Sequence, residues 1–150
     1  MKPDAFFDFA EWTLQNNATP AGFRSVTSRA YYGAIHQAVA FLASLEVQLP
    51  SDVSIHSRVP DILDHADDRD MVEVATMLRA LRSQRNEADY DLDKHFVETA
   101  GFASARLFDA RKIIGRLRTL MLGKDKPGSK IEAARPSIVA RAALLAEGPR

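Results

Sequence analysis

The sequence predicts an all-α protein, a bundle of four to five helices followed by a C-terminal helical tail. Apolar residues recur at alternating spacings of three and four in several long stretches, which is the period of a helix with one buried face. The connections between these stretches are short and polar, as in helical bundles. No stretch alternates apolar and polar residues for long enough to predict a strand.

The first two helices follow from their apolar spacing. Phe6, Ala10 and Thr13 or Leu14 outline a short first helix. Either Pro20 or the region 25–27 starts the second helix, because proline and hydroxyl residues favour the first turn, and Pro50 follows its end. The apolar stripe of this helix comprises Tyr31, Ile35, Ala38, Leu42 and Leu45.

The middle of the chain predicts one short and two long helices. "RVPDILDHA" at 58–66 holds the short one, and the acidic stretch "DHADDRD" at 64–70 fits a solvated connection. The next stripe comprises Met71, Val74, Leu78 and Leu81. The longest stripe, about seven turns of helix, comprises Phe96, Ala100, Ala103, Leu107, Ala110, Ile114, Leu117 and Met121.

The composition divides the chain into three parts. Residues 1–122 form the predicted bundle, and "GKDKPGSK" at 123–130 has the composition of a linker. Residues 131–150 form an amphipathic tail whose weak stripe is interrupted by Pro136. This tail either packs back on the bundle or docks on something else.

Charge and cysteine content exclude several classes of function. Twenty basic and twenty acidic residues cancel, so binding to nucleic acid requires a local patch. The chain has no cysteine, which excludes a disulfide framework, a thiolate zinc site and a cysteine nucleophile, and which fits a cytoplasmic protein. The N-terminal stretch "MKPDAFFDFAEW" carries three acidic residues and is not a signal peptide. No apolar run is long enough to predict a membrane span.

Arg85 occupies a position where the pattern predicts a buried residue. Continuing the 71, 74, 78, 81 spacing leads to Arg85 and then Ala88. Burial of an unpaired guanidinium is costly, so Arg85 must be paired or must open onto a groove. Arg82 and Asn86 border the same helix end. An ion pair between Arg85 and a nearby aspartate, fixing the turn between two helices, is the commoner arrangement for a single arginine.

Two segments together resemble a HEPN domain, most closely the small stand-alone prokaryotic HEPN proteins. They are "SRAYYGAIHQAVAFL" at 28–42 and "LRSQRNEADYDL" at 81–92, and the resemblance covers residues from about 4 to 122. It implies a helical bundle that forms a two-fold dimer, with the arginine motifs of both copies facing a shared groove. Many HEPN proteins are metal-independent endoribonucleases, often toxins paired with a nucleotidyltransferase-like antitoxin.

The family's ribonuclease motif has Arg, four to six residues, and then His, with a polar residue after the Arg. Arg85 and Asn86 match its start, but Tyr90 stands at the histidine position. An unperturbed tyrosine, with a pKa of about 10, is a poor general base near neutral pH. Tyr90 can still hydrogen-bond a phosphate or orient a ribose hydroxyl, and Arg85 can stabilise a phosphorane with its bidentate fork. The resemblance therefore implies weak or absent ribonuclease activity, with Arg85, Asn86 and Tyr90 as catalytic candidates.

Other residues were weighed for RNA binding or metal binding. Arg82, Tyr32, His36 and Arg29 are candidates for the RNA-binding surface, although packing is the commoner role for Tyr32 and His36. No histidine pair has zinc-ligand spacing, and no cofactor motif is present, so neither a metal nor a cofactor is expected. The basic residues of the longest helix, Arg106, Arg111, Lys112, Arg116 and Arg118, lie on its wet side and are a second possible surface for a nucleic-acid backbone.

Two further hypotheses remain open from the sequence. The chain is a non-catalytic dimeric scaffold in one, with Arg85 structural and the helix at 131–147 binding a partner protein. In the other, a partner nucleotidyltransferase modifies Tyr90, as the resemblance to some family members implies.

Overall fold

The computed structural model describes residues 2–49 and 54–146. Over these residues the chain is helical and has no β-strand, which confirms the all-α class for the described part. The described residues form six α-helices and, between the fourth and fifth, one 3-10 helix at His95–Glu98. The α-helices are α1 (Asp4–Asn16), α2 (Pro20–Ser44), α3 (Ile55–Asp64), α4 (Arg69–Tyr90), α5 (Ala100–Gly123) and α6 (Lys130–Ala146).

Helix α2 lies at the centre of the bundle and contacts α1, α3, α4 and α5. It begins at Pro20, the first of the two predicted starts, and Pro50 lies outside the described residues. The Thr19 hydroxyl caps the helix by accepting a 3.0 Å hydrogen bond from the Gly22 amide. A Cβ on Gly22 would lie 2.0 Å from the Asn17 carbonyl oxygen, so only glycine permits this close entry into the helix.

The predicted stripes of α2 and α4 form the core. All five stripe residues of the second helix are buried, as are Met71, Val74, Leu78, Leu81 and Ala88 on α4. The stripe predicted for the longest helix is wrong at its start. Phe96 and Ala100 are exposed, because the chain turns through the 3-10 helix and buries Val97 instead. Thr99 then caps α5 by accepting a hydrogen bond from the Phe102 amide at 3.2 Å.

Helix α6 packs back on the bundle, against α3 and α5. Ile131, Ala134 and Ile138 are at most 2% exposed and belong to the same hydrophobic core as the other helices. Pro136 does not interrupt the helix, which continues to Ala146, and its ring lies on the exposed side. The bundle therefore covers one face of α6, while Val139 and Leu144 on the same helix remain 45% and 61% exposed.

Arg24 of α2 holds the end of α4 and the connection to α5. Its buried guanidinium donates hydrogen bonds to the carbonyls of Ala88 at 2.9 Å and Asp91 at 3.0 Å, and longer ones to three further carbonyls between residues 87 and 94. Its Nε forms an ion pair with Glu98 at 2.8 Å. The last carbonyls of a helix have no partner within the helix, and Arg24 supplies one. The turn after α4 is thus fixed by Arg24, whereas the sequence had suggested Arg85.

Candidate functional site

Arg85 lies between two tyrosine rings near the end of α4. Its guanidinium carbon is 5.1 Å from the ring centroids of both Tyr32 and Tyr90. Nη2 donates a hydrogen bond to the Tyr32 hydroxyl at 2.5 Å, while Nη1 donates to the Asn86 side-chain oxygen at 3.0 Å and to the Tyr90 hydroxyl at 3.3 Å. The Arg85 side chain is only 14% exposed. Aromatic faces and oxygen atoms of α2 and α4 therefore surround this guanidinium and stabilise its charge.

Asp89 supplies the carboxylate that balances Arg85. Its Oδ2 lies 2.8 Å from Arg85 Nε, one turn along the same helix, and it also accepts a hydrogen bond from the Ser28 hydroxyl at 3.1 Å. Nε is buried but makes no directed hydrogen bond, so this contact is an ion pair. Burial opposes the charged guanidinium, but the Tyr90 hydroxyl and Asp89 outweigh it and raise the pKa of Arg85. The predicted pairing with an aspartate is thus present within α4.

Two histidines adjoin this arginine through an aromatic cluster. The His36 ring stacks on Phe6 with centroids 5.3 Å apart and planes 7° apart, and it lies 6.3 Å from the Tyr32 ring. His56, at the start of α3, has its Nδ1 2.7 Å from the Tyr31 hydroxyl, and its ring centroid is 6.1 Å from that of Tyr32. Both imidazoles are half-buried.

Burial and nearby cations shift the titration of this cluster. Burial lowers the pKa of His36, and burial together with the charges of Arg82 and Arg85 lowers the pKa of His56. Burial raises the pKa of the Tyr31 hydroxyl to about 12. Both imidazoles are therefore neutral at pH 7, and a neutral imidazole can accept a proton.

The structure connects all of the predicted site residues through Tyr32 and His56. Arg29 is exposed, and its guanidinium carbon lies 5.9 Å from the Tyr32 ring centroid. Arg82 donates to the His56 carbonyl at 3.3 Å. Tyr31 is in the core, as the apolar stripe indicated, and is 1% exposed. Asn86 and Tyr90 form the open side of the site, and Tyr90 is 72% exposed.

Sequence reasoning missed the parts played by His56 and Arg24. No periodic signal relates His56, at the start of α3, to the Tyr-rich face of α2, so its place in the site does not follow from the sequence. Arg24 lies seven residues before Tyr31, so the apolar stripe of α2 extends back to it, and this spacing indicates that its side chain faces the interior.

The basic side of α5 is largely neutralised. Four of its arginines are each paired with a carboxylate within the described residues: Arg106 with Asp109, Arg111 with Glu11, Arg116 with Glu73, and Arg118 with Asp4. A charge already paired gives less attraction to a phosphate backbone. Pairing therefore weakens this face as a surface for nucleic acid, and the pairing with Asp89 has the same effect at Arg85.

Comparisons with protein-family models, with curated proteins and with solved structures found no match for this chain. Within residues 2–49 and 54–146, no three acidic, histidine or cysteine side chains group closely enough to hold a metal ion. None of the helices described is both long and apolar enough to cross a membrane.

Proposed function

We propose that this chain is a HEPN-type protein of the cytoplasm that forms a two-fold dimer and binds RNA or a nucleotide at Arg85. The observation that carries the proposal is the guanidinium of Arg85, which is largely buried yet ends at the exposed side chains of Asn86 and Tyr90. A shielded guanidinium binds phosphate more strongly than one in bulk water, because the local dielectric constant is lower.

The hydrogen bonds of Arg85 define where a phosphate would bind. Both N–H groups of Nη1 are used by Asn86 and Tyr90, and one N–H of Nη2 is used by Tyr32. Asn86 and Tyr90 are exposed and can move aside, whereas Tyr32 is half-buried and remains. Phosphate oxygens therefore replace the two exposed partners, and two of them accept hydrogen bonds from the parallel N–H groups of Nη1 and Nη2.

The same site supports a metal-independent cleavage of RNA. In that reaction the ribose 2′-oxygen gives its proton to a base and bonds to the adjacent phosphorus, and Arg85 stabilises the charge that develops on the phosphorane. The bond from that phosphorus to the 5′-oxygen then breaks, which leaves a 2′,3′-cyclic phosphate and a 5′-hydroxyl that takes its proton from water. Tyr90 binds and orients the substrate rather than removing the proton. The neutral imidazole of His56, which the sequence motif does not include, is the better base.

Exposed apolar side chains that follow Arg85 closely in the chain support the dimer, and Tyr90 among them contacts Arg85. Tyr90, Leu92 and Phe96 are 72%, 71% and 53% exposed, and they follow one another at the end of α4 and in the connection after it. Apolar side chains grouped in this way are typical of a surface that a partner covers. A second copy placed here brings two Arg85 sites to one groove.

The test compares Arg85→Ala with the wild-type protein and with Arg116→Ala. Arg116 is on α5 and paired with Glu73, so it controls for loss of one positive charge. Anisotropy of a labelled single-stranded RNA and of a labelled nucleotide measures binding, and gel electrophoresis in EDTA measures cleavage. We expect Arg85→Ala to weaken binding at least about tenfold and Arg116→Ala to change it less than about twofold. Equal behaviour of Arg85→Ala and wild type would refute the proposal.

A second candidate function is favoured by the exposure of the Tyr90 hydroxyl. A partner nucleotidyltransferase, the antitoxin of a two-gene module, would transfer a nucleotidyl group from a nucleoside triphosphate to this oxygen, with release of pyrophosphate and of the phenolic proton. Arg85 Nη1, 3.3 Å away, would then contact the added phosphate. Mass spectrometry of co-expressed protein should show the added group on wild type and none on Tyr90→Phe. Unmodified wild-type protein would eliminate this candidate.

The scaffold hypothesis is favoured because Arg85 already has a carboxylate and hydrogen-bond partners within its own chain. Asp89 and Tyr32 alone balance much of the charge and give Arg85 a structural role. A partner protein would then bind the exposed side of α6, where Val139 and Leu144 are 45% and 61% exposed. If Arg85→Ala lowers stability without changing RNA or nucleotide binding, the scaffold is the better account.

A further inference from the structure

A cavity of about 480 Å³ lies between α3, α4 and α6, next to the Arg85 site. Its size is within the range of small-molecule sites. Helix α6, which is outside the part of the chain that resembles HEPN domains, forms one wall. The residues that line the cavity are His56, Ser57, Arg58, Pro60, Asp61, Arg79, Arg82, Arg141 and Leu145.

The lining of this cavity is strongly basic. It contains four arginines and one carboxylate, that of Asp61. Asp61 is already used by Arg141, whose Nε and Nη2 contact its two oxygens at 2.9 and 3.1 Å. Arg79 is paired at 3.1 Å with Asp64. Two positive charges on the lining therefore remain to be balanced.

Those charges belong to Arg58 and Arg82. Arg58 donates to the Leu145 carbonyl and Arg82 to the His56 carbonyl, and neither has a carboxylate partner within the described residues. Carbonyl groups satisfy N–H donors but do not neutralise a charge. Two half-buried guanidinium groups beside one cavity favour an anion with several oxygen acceptors.

We propose that this four-arginine pocket binds phosphate groups, with Arg58 and Arg82 as the principal ligands and Arg141 completing the site from α6. The phosphates come either from a free nucleotide or from the backbone of RNA. Arginine matches phosphate geometry with two parallel N–H donors, and surrounding protein atoms reduce competition from water.

The pocket adjoins the Arg85 site through the ring of His56. Arg82 and His56 line the pocket, and the His56 ring also packs near Tyr32, which contacts Arg85. An RNA strand bound at Arg85 can therefore place a neighbouring phosphate in the pocket. This RNA arm rests on the proposed function, whereas binding of free phosphate groups does not.

The experiment measures binding of inorganic pyrophosphate and ATP by calorimetry and of a short single-stranded RNA by anisotropy. The double variant Arg58→Gln/Arg141→Gln is compared with wild type, and Arg135→Gln is the control. Arg135 is on α6 but pairs with Glu46 and does not line the pocket. We expect the double variant to lose about tenfold or more in pyrophosphate affinity and the control to lose less than about twofold.

Asp61→Asn should change pyrophosphate affinity in the opposite direction from the double variant. Removing the one carboxylate of the lining should strengthen pyrophosphate binding by about threefold, because its repulsion is lost. Loosening of α6 cannot produce this gain, so the result separates an anion site from a structural ion pair. Urea unfolding establishes that each variant is folded.

The three ligands distinguish the outcomes. If the double variant loses more affinity for ATP than for RNA, the pocket is a nucleotide site. If the slope of log affinity against log salt for RNA falls by about 0.7 for each arginine removed, the pocket binds the RNA backbone. Wild-type pyrophosphate affinity in the double variant, or no gain in Asp61→Asn, would overturn the pocket proposal. The two proposals fail separately: wild-type RNA and nucleotide binding in Arg85→Ala refutes the proposed function, whereas wild-type pyrophosphate affinity in Arg58→Gln/Arg141→Gln refutes the pocket.

Discussion

Replacement of Arg24 by alanine tests whether one side chain holds the helix end that carries the candidate site. The two shortest hydrogen bonds from its Nη1, to Ala88 and Asp91, join a charged donor to helix-end carbonyls. Hydrogen bonds of this kind contribute about 1.5 to 3 kcal/mol each, and three longer ones add less. Because water can enter the vacated space and hydrate the carbonyls, we expect Arg24→Ala to lower the free energy of unfolding by about 3 to 5 kcal/mol.

Urea unfolding followed by circular dichroism measures this loss. Arg29→Ala is the matched control, since Arg29 is exposed on the same helix and should cost less than about 1 kcal/mol. The slope of the free energy of unfolding against urea concentration should be the same for variant and wild type, so that the shift in midpoint reports stability alone. A free energy of unfolding for Arg24→Ala within about 1 kcal/mol of wild type would refute the view that Arg24 fixes the end of α4.

The remaining predictions concern pH and two glycines. His36 and His56 titrate below 6.5 in the folded chain, so the unfolded chain binds more protons as pH falls, and stability should decrease between about pH 7.5 and pH 5.5. His36→Asn/His56→Asn should flatten this decrease in urea unfolding, and an equally steep decrease would contradict it. Gly22→Ala should destabilise by at least about 2 kcal/mol, while Gly115→Ala, with open space around it, should stabilise by about 0.5 to 1 kcal/mol. Changes of the same sign at both glycines would count against the steric reasoning.

Much of the fold could be predicted because the buried faces of α2 and α4 follow a strict helical period. The start of α5 could not, since Phe96 continues the period of the longest stripe but lies in a 3-10 helix. Periodicity records which residues share a helix face, and it does not show where the backbone changes helix type. The sequence also does not decide whether α6 packs on the bundle, because its weak apolar stripe could be buried either by the bundle or by a partner protein.

The sequence predicts the candidate site only where a charged side chain occupies a position that the apolar stripe assigns to the core. Arg85 was found because a guanidinium stood on an apolar stripe, and Asp89 because it was one of three nearby carboxylates. His56 is separated from Arg85 along the chain and approaches it through Tyr31 and Tyr32. Contacts of this kind depend on how helices are placed in space, and a single sequence carries no signal for them.

The sandwich of Arg85 between Tyr32 and Tyr90 has a consequence for the entropy of binding. A free arginine side chain samples many rotamers, and its ordering costs about 2 kcal/mol. Here the two rings and Asp89 restrict that freedom before any ligand arrives. An anion therefore binds a guanidinium that is already oriented, and most of the side-chain entropy is lost during folding rather than on binding.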